Sequence, residues 1–275
     1  MKKFLKQAAE KIINDGYTGV QSVVILPNRR SEVFLKEEIK RLNKSNIWLP
    51  EFYPVDEFIQ KVSGLKKADS ITTSFELYNV YAKTEGIKAK SIDDFLTWAP
   101  VILSDFNDID NSVADAKEIY EQLSAIKAIQ AWNPDGQPLT EIQLNYLHFF
   151  NSMYQYYTEL SSILVSRGIG YQGLISRYLA ENISLLSHNL KWNSYLFVGI
   201  NALSEAELQI IDHINQIYNT DFVWDVDDFY FGKTVSQHEA GKHIQHIINR
   251  LKIPPPEKVE KNLTETKKTI RILGV

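Results

Sequence analysis

Cysteine is absent from all 275 residues, which excludes disulfide bridges and thiolate metal sites and fits a reducing compartment. A basic excess is missing too: Lys and Arg number 30 against 34 Asp and Glu, for a net charge of −4. Dedicated nucleic-acid binders carry a strong positive surplus, so any contact with DNA has to come from a local patch or from partner domains nearby. No stretch approaches the roughly 18 consecutive apolar residues of a membrane span. The N-terminus places Lys6 and Glu10 where a signal peptide requires an apolar run. The expectation is a soluble, cytoplasmic protein. What the chain does have is apolar and aromatic content, 44% hydrophobic residues with 14 Tyr, 13 Phe and 5 Trp. That suffices for one large domain or two ordinary ones with broad helix interfaces, and it excludes global disorder.

Residues 1–54 read as helix, strand, helix. Phe4, Ala8 and Ile12 fall on one helical face. Gly16 and Gly19 break the chain before Val23-Val24-Ile25-Leu26, an apolar run of the kind buried on both faces of a parallel sheet. Pro27 and Asn28 end it, and Val33, Phe34 and Ile39 belong to a following helix, so a parallel-sheet unit begins here. From about Val55 to Lys191 the pattern turns helical. Thr73 to Glu76 and Thr140 to Gln143 fit capping boxes, and Ser91, before Asp94, is a weaker start signal. The longest periodic segment carries Ile142, Tyr146, Phe149, Met153, Tyr156, Leu160 and Ile163. It ends near Gly168 and Gly170, and Leu174, Ile175 and Tyr178 begin another helix.

Sheet signals return at 195–200 and at Phe222-Val-Trp224. Between them lies a helix capped by Ser204 and Glu207, with Leu208, Ile211 and Ile214 on its apolar face. A helix with Ala240, Ile244, Ile247 and Leu251 stops at Pro254-Pro-Pro256, and the polar stretch 254–268 reads as a surface loop. Residues 269–275 have the pattern of a buried strand that stops abruptly, as in a piece of a longer polypeptide. The predicted architecture is one α/β domain formed by 1–54 and 192–275, interrupted by an all-helical segment at 55–191.

Four motifs in consistent order then carry a resemblance over nearly the whole chain. They are Val-Ile-Leu-Pro-Asn-Arg-Arg (24–30), Trp98 followed by Leu-Ser-Asp-Phe-Asn-Asp-Ile-Asp (103–110), Phe-Val-Gly-Ile-Asn-Ala-Leu-Ser-Glu-Ala-Glu (197–207) and Val-Trp-Asp-Val-Asp (223–227). Together they resemble the N-terminal region of Bacteroidetes-type AddB-like proteins, inactivated superfamily I helicases with a distant C-terminal PD-(D/E)XK nuclease. The resemblance implies a RecA-like, P-loop-NTPase-type first domain (helicase 1A-like) with a helical insertion (1B-like). It also implies a part in DNA double-strand-end processing and recombinational repair beside a motor helicase/nuclease subunit. The implied nuclease lies beyond Val275, so a parent DNA exonuclease subunit would keep its catalytic residues elsewhere.

A motor needs a Gly-rich phosphate loop, and the near match is Gly232-Lys233-Thr234. Asp227 stands where that motif requires its first glycine, and Phe229, Tyr230 and Phe231 fill the loop that should expose N–H groups. In the frame of the resemblance, the strand at 195–200 should end in Asp-Glu to hold Mg²⁺ beside ATP; Asn201-Ala202 stands there instead. The expectation is a module without cofactor and without nucleotide turnover. Pro134-Asp135 with Glu141 and Gln143 superficially copies a nuclease core, but the spacing is too short for two strands. His238 begins an H-E-x-x-H pattern that Lys242 breaks, and His243 and His246 read as solvent-facing. No G-x-S-x-G elbow occurs.

Asn28, Arg29 and Arg30 follow a buried strand and open a helix, where N–H groups and the helix dipole favour an anion and arginine adds a forked donor. With Lys36, and with Lys40 and Arg41 flanking, they are the candidate contacts to single-stranded DNA or a duplex end. The bland alternative pairs the arginines with Glu32 or neighbouring acids. Two acidic groups, Asp225, Asp227 and Asp228, and Asp105, Asp108, Asp110 and Asp115, read as helix caps or solvated faces before cation sites. Tyr154 and Tyr157 fall off the apolar face of their helix and are expected to be free to meet another domain. Two rival functions follow: a protein-interaction scaffold that never touches DNA, and a metal-dependent phosphohydrolase using Asp225 and Asp227.

Overall fold

The computed structural model describes residues 2–43, 45–124, 140–231, 239–256, 259, 261–265 and 271. The chain divides into two compact units, the first made of Met1–Phe58, Lys191–Leu203 and Leu208–Val275 and the second of Ile59–Leu190 and Ser204–Glu207.

The first unit is built on a parallel four-stranded sheet. Its strands are β1 (Ser22–Leu26), β2 (Glu51–Pro54), β5 (Ser194–Val198) and β6 (Asn219–Val223), in the order β2-β1-β5-β6. Every residue of β1 is buried, as a central strand covered on both faces requires. α1 (Lys2–Asn14) and α2 (Arg29–Leu42) deliver Ala8, Ala9, Ile12, Leu35 and Ile39 onto the face that carries Val24, Leu26, Leu196 and Val198. The alternate residues Val23, Ile25, Tyr195 and Phe197 point the other way and are equally buried. There Tyr195 meets Phe58, Trp192 and Tyr218 with ring centroids 6.2, 6.1 and 5.1 Å away.

Three readings of this unit shift. β5 ends at Val198 because Gly199 turns the backbone to φ +69, and β6 starts earlier than the apolar run that marked it. β2 carried no sequence signal; only its pairing with β1, Val23 beside Glu51 through Leu26 beside Pro54, makes it a strand. In the stretch read as loop, a short helix spans Asn262–Glu265. The expected strand at 269–275 lies, apart from exposed Arg271, outside the described residues.

The second unit is helical except for a two-residue parallel pair, β3 (Lys66–Lys67) with β4 (Ile169–Gly170). Its core packs α4 (Ser70–Glu85), α5 (Ile92–Leu96), α6 (Ala99–Asn111), α7 (Ala116–Ser124), α8 (Glu141–Ser166) and α9 (Gln172–Leu186). Leu77, Phe95, Phe106, Tyr156, Leu160 and Leu164 sit at its centre, each at most 1% exposed. α4 begins before the predicted capping box. Asp69 accepts from the Thr72 amide at 2.8 Å as N-cap, and Thr73 lies inside the helix with its hydroxyl bonded to the Asp69 carbonyl. Ser91 does cap α5. The hydroxyl and backbone of Ser204 exchange hydrogen bonds with Glu207 in a reciprocal box. For the Thr140 box, the Gln143 side chain lies outside the described residues.

Asp110 departs furthest from its reading. It neither caps a helix nor faces water: fully buried, it accepts from Tyr157 and Tyr171, with Arg177 3.6 Å away. Tyr157 is thereby a core residue, 8% exposed, while Tyr154 keeps an exposed ring. Asn107 lies within α6, and its side chain accepts the Gly173 amide at 2.8 Å, at the start of α9. Met153 and Tyr156 are buried as the stripe predicts, whereas the side chains of Tyr146 and Phe149 lie outside the described residues. Among the described residues no helix is long and apolar enough to cross a membrane.

Candidate functional site

In an open parallel sheet, side chains converge outside the carboxyl ends of the strands where the strand order reverses direction. Here that point falls between β1 and β5: from β1 the chain steps outward to β2, then returns to the other side of β1 as β5. The turn after β1 is Pro27 to Arg30; the turn after β5 is Gly199 to Ala202. The topology therefore puts Asn28–Arg30 and Asn201-Ala202 at the carboxyl ends of two neighbouring strands, on one edge of the first unit's sheet.

The β1 turn is set by Asn28, whose extended backbone and side-chain oxygen cap α2, accepting the Ser31 amide at 3.0 Å and the Ser31 hydroxyl at 3.1 Å. Arg29 is exposed and holds Glu57 with both faces of its fork, the Nη2–Oε2 contact measuring 2.8 Å. This contact and the nearby carboxylates raise the guanidinium pKa further above its already high ordinary value. Arg30 is exposed, and among the described residues no carboxylate pairs with it. Lys36 pairs with Glu32 one turn back, and its ammonium stands 4.9 Å from the centre of the Phe52 ring. Three of the four candidates thus already have partners. Glu57, on α3 (Val55–Ser63), was not foreseen, because it lies 28 residues from Arg29 with no local pattern linking the two.

At the neighbouring end of β5, Gly199 donates its amide to the Val223 carbonyl at 2.8 Å. A Cβ at Gly199 would come within 3.1 Å of the Phe4 ring, so the left-handed turn and the close packing both require glycine. Asn201 and Ala202 are exposed beyond it.

Of the acids after β6, Asp227 is employed structurally. The two carboxylate oxygens of Asp227 accept the amides of Phe229 and Leu263, each at 3.0 Å. Asp225 is exposed, and the partial desolvation it meets beside the chain pushes its carboxyl up. Among the described residues no three His, Cys, Asp or Glu side chains are grouped to hold a metal ion. His243 and His246 are exposed on the helix Glu239–Leu251; His238, Gly232-Lys233-Thr234 and Pro134-Asp135 lie outside the described residues.

The second unit holds a different feature, an open groove of about 1210 Å³ whose lining includes Tyr81, Trp98, Ile102, Tyr120 and Met153. At one end Glu85 accepts from Tyr156 and meets His148 Nε2 at 2.9 Å. Burial raises the Glu85 carboxyl, but hydrogen bonds from Tyr156, His148 and Ser152 outweigh it and hold the group below the usual carboxylate range. His148, Ser152 and Tyr156 follow one another at four-residue steps on α8, but nothing local in the sequence links them to Glu85 on α4. Compared with protein-family models and with curated proteins, the chain matches none.

Proposed function

We propose that this chain is a non-catalytic, helicase-like module of an AddB-like nuclease subunit, RecA-like in its first unit, contacting DNA during double-strand-end processing and repair. The observation that carries this reading is the turn Asn28–Arg30, which opens α2 at the point where the strand order reverses, opposite Asn201-Ala202. Arg30, which no carboxylate among the described residues holds, takes a phosphate there, and Arg29 joins by exchanging Glu57 for the ligand. The neutral Asn201 leaves this edge of the sheet without the acid that a nucleotide-bound Mg²⁺ needs.

Fluorescence anisotropy with a labelled single-stranded oligonucleotide tests it. Arg29→Ala/Arg30→Ala should weaken binding and lower the magnitude of the log K against log salt slope by about 1.4, for two lost phosphate contacts. Glu57→Gln, which releases Arg29, should tighten it. No binding at low salt, or a slope indifferent to the arginines, would sink the DNA reading. It would favour the second one, a protein scaffold, for which the Arg29–Glu57 and Lys36–Glu32 pairs already speak by neutralising the patch.

A further inference from the structure

α2 presents to solvent a stripe of side chains that is its own complement. Arg30, Val33, Phe34 and Glu37 follow one another at steps of three, one and three and so share a side of the helix. All four are exposed, Val33 to 57% and Phe34 to 49%, while Leu35 and Ile39 face the core. Glu32 with Lys36 and Glu38 with Arg41 are paired within the helix, but among the described residues Arg30 and Glu37 have no ion-pair partner. A second α2 laid antiparallel about a two-fold axis between positions 33 and 34 brings Val33 against the partner's Phe34. The same rotation sets Arg30 opposite the partner's Glu37, and both contacts occur twice.

We propose that α2 is the two-fold contact through which two copies of this chain associate. An isologous interface demands this kind of self-matching pattern, and here an apolar centre is rimmed by charges that attract only in the antiparallel arrangement. A single helix pair is smaller than a standard interface, so the dimer is weak and concentration-dependent. It goes beyond the nucleic-acid reading and competes with it, because a paired Arg30 is withheld from phosphate.

Sedimentation velocity over a concentration series tests the dimer. The native chain should shift from monomer towards dimer as concentration rises. Arg30→Glu and Glu37→Arg should each weaken association about tenfold, since each sets like charges together twice. The double variant Arg30→Glu/Glu37→Arg should restore it, and Phe34→Asp should abolish it. All these positions are solvent-facing, so far-ultraviolet circular dichroism should stay native. A monomer at every concentration, or a double variant as weak as the singles, overturns the proposal. Glu37→Arg separates the two readings, because it breaks the dimer while leaving every DNA candidate in place; Arg30→Glu harms both.

Discussion

Asp110 and Glu85 belong to the same helical unit yet are shifted in opposite directions. For Asp110, burial pushes the carboxyl up more than Tyr157, Tyr171 and the Arg177 charge pull it down. Its contribution is therefore fully present below the unfolded carboxylate range, about 3.9, and is lost as pH rises through the raised folded value. For Glu85 the sign reverses: its contribution is present above about 4.3 and is lost as pH falls through the depressed folded value. Urea unfolding followed from about pH 4 to pH 7 should show the native protein losing stability relative to Asp110→Asn, which cannot ionise. Parallel curves would disprove the assignment. Asp110→Ala should cost about 2–4 kcal/mol, because it leaves two buried phenol hydroxyls unpaired. None of this was legible in Leu-Ser-Asp-Phe-Asn-Asp-Ile-Asp, where the acids look alike. Position on the helix relative to Tyr157 and Tyr171, 47 and 61 residues away, makes one of them internal.

Elements were readable where their own residues decide them. The run Val23–Leu26 is a strand because only a central parallel strand buries successive apolar side chains, and Ser204 and Glu207 cap a helix with atoms three residues apart. β2 was unreadable for the converse reason: Glu-Phe-Tyr-Pro has no period that marks it, and the ladder comes from β1. The contact between α6 and α9 is likewise a tertiary matter. A Cβ on Gly173 would lie 2.5 Å from the Asn107 carbonyl oxygen, so the two backbones touch only because this residue is glycine. Gly173→Ala should force them apart and destabilise the unit by about 1–3 kcal/mol, measured by thermal or urea unfolding. An unchanged midpoint would show that α9 can slide without loss.

At the scale of the whole molecule, the ends of each unit close on themselves. In the first unit, the tilted rings of Phe58 and Trp192 meet with centroids 5.9 Å apart; in the second, Asn189 donates to the Val62 carbonyl at 2.9 Å. Residues 59–190 expressed alone should consequently give a helical circular-dichroism spectrum and a cooperative unfolding transition, and a molten, non-cooperative product would refute their independence. The amino-acid sequence by itself determined the class of fold and the helix starts at Ser91 and Ser204, because burial pattern and capping act over a few residues. It also placed the basic turn at the head of α2. Only the tertiary structure decided that Arg29 is held by Glu57, that Asp110 is internal, and that the turns after β1 and β5 lie at the ends of neighbouring strands. Those facts depend on strand order and on partners far apart in the chain, and no local period encodes which distant side chain a folded backbone will bring within reach.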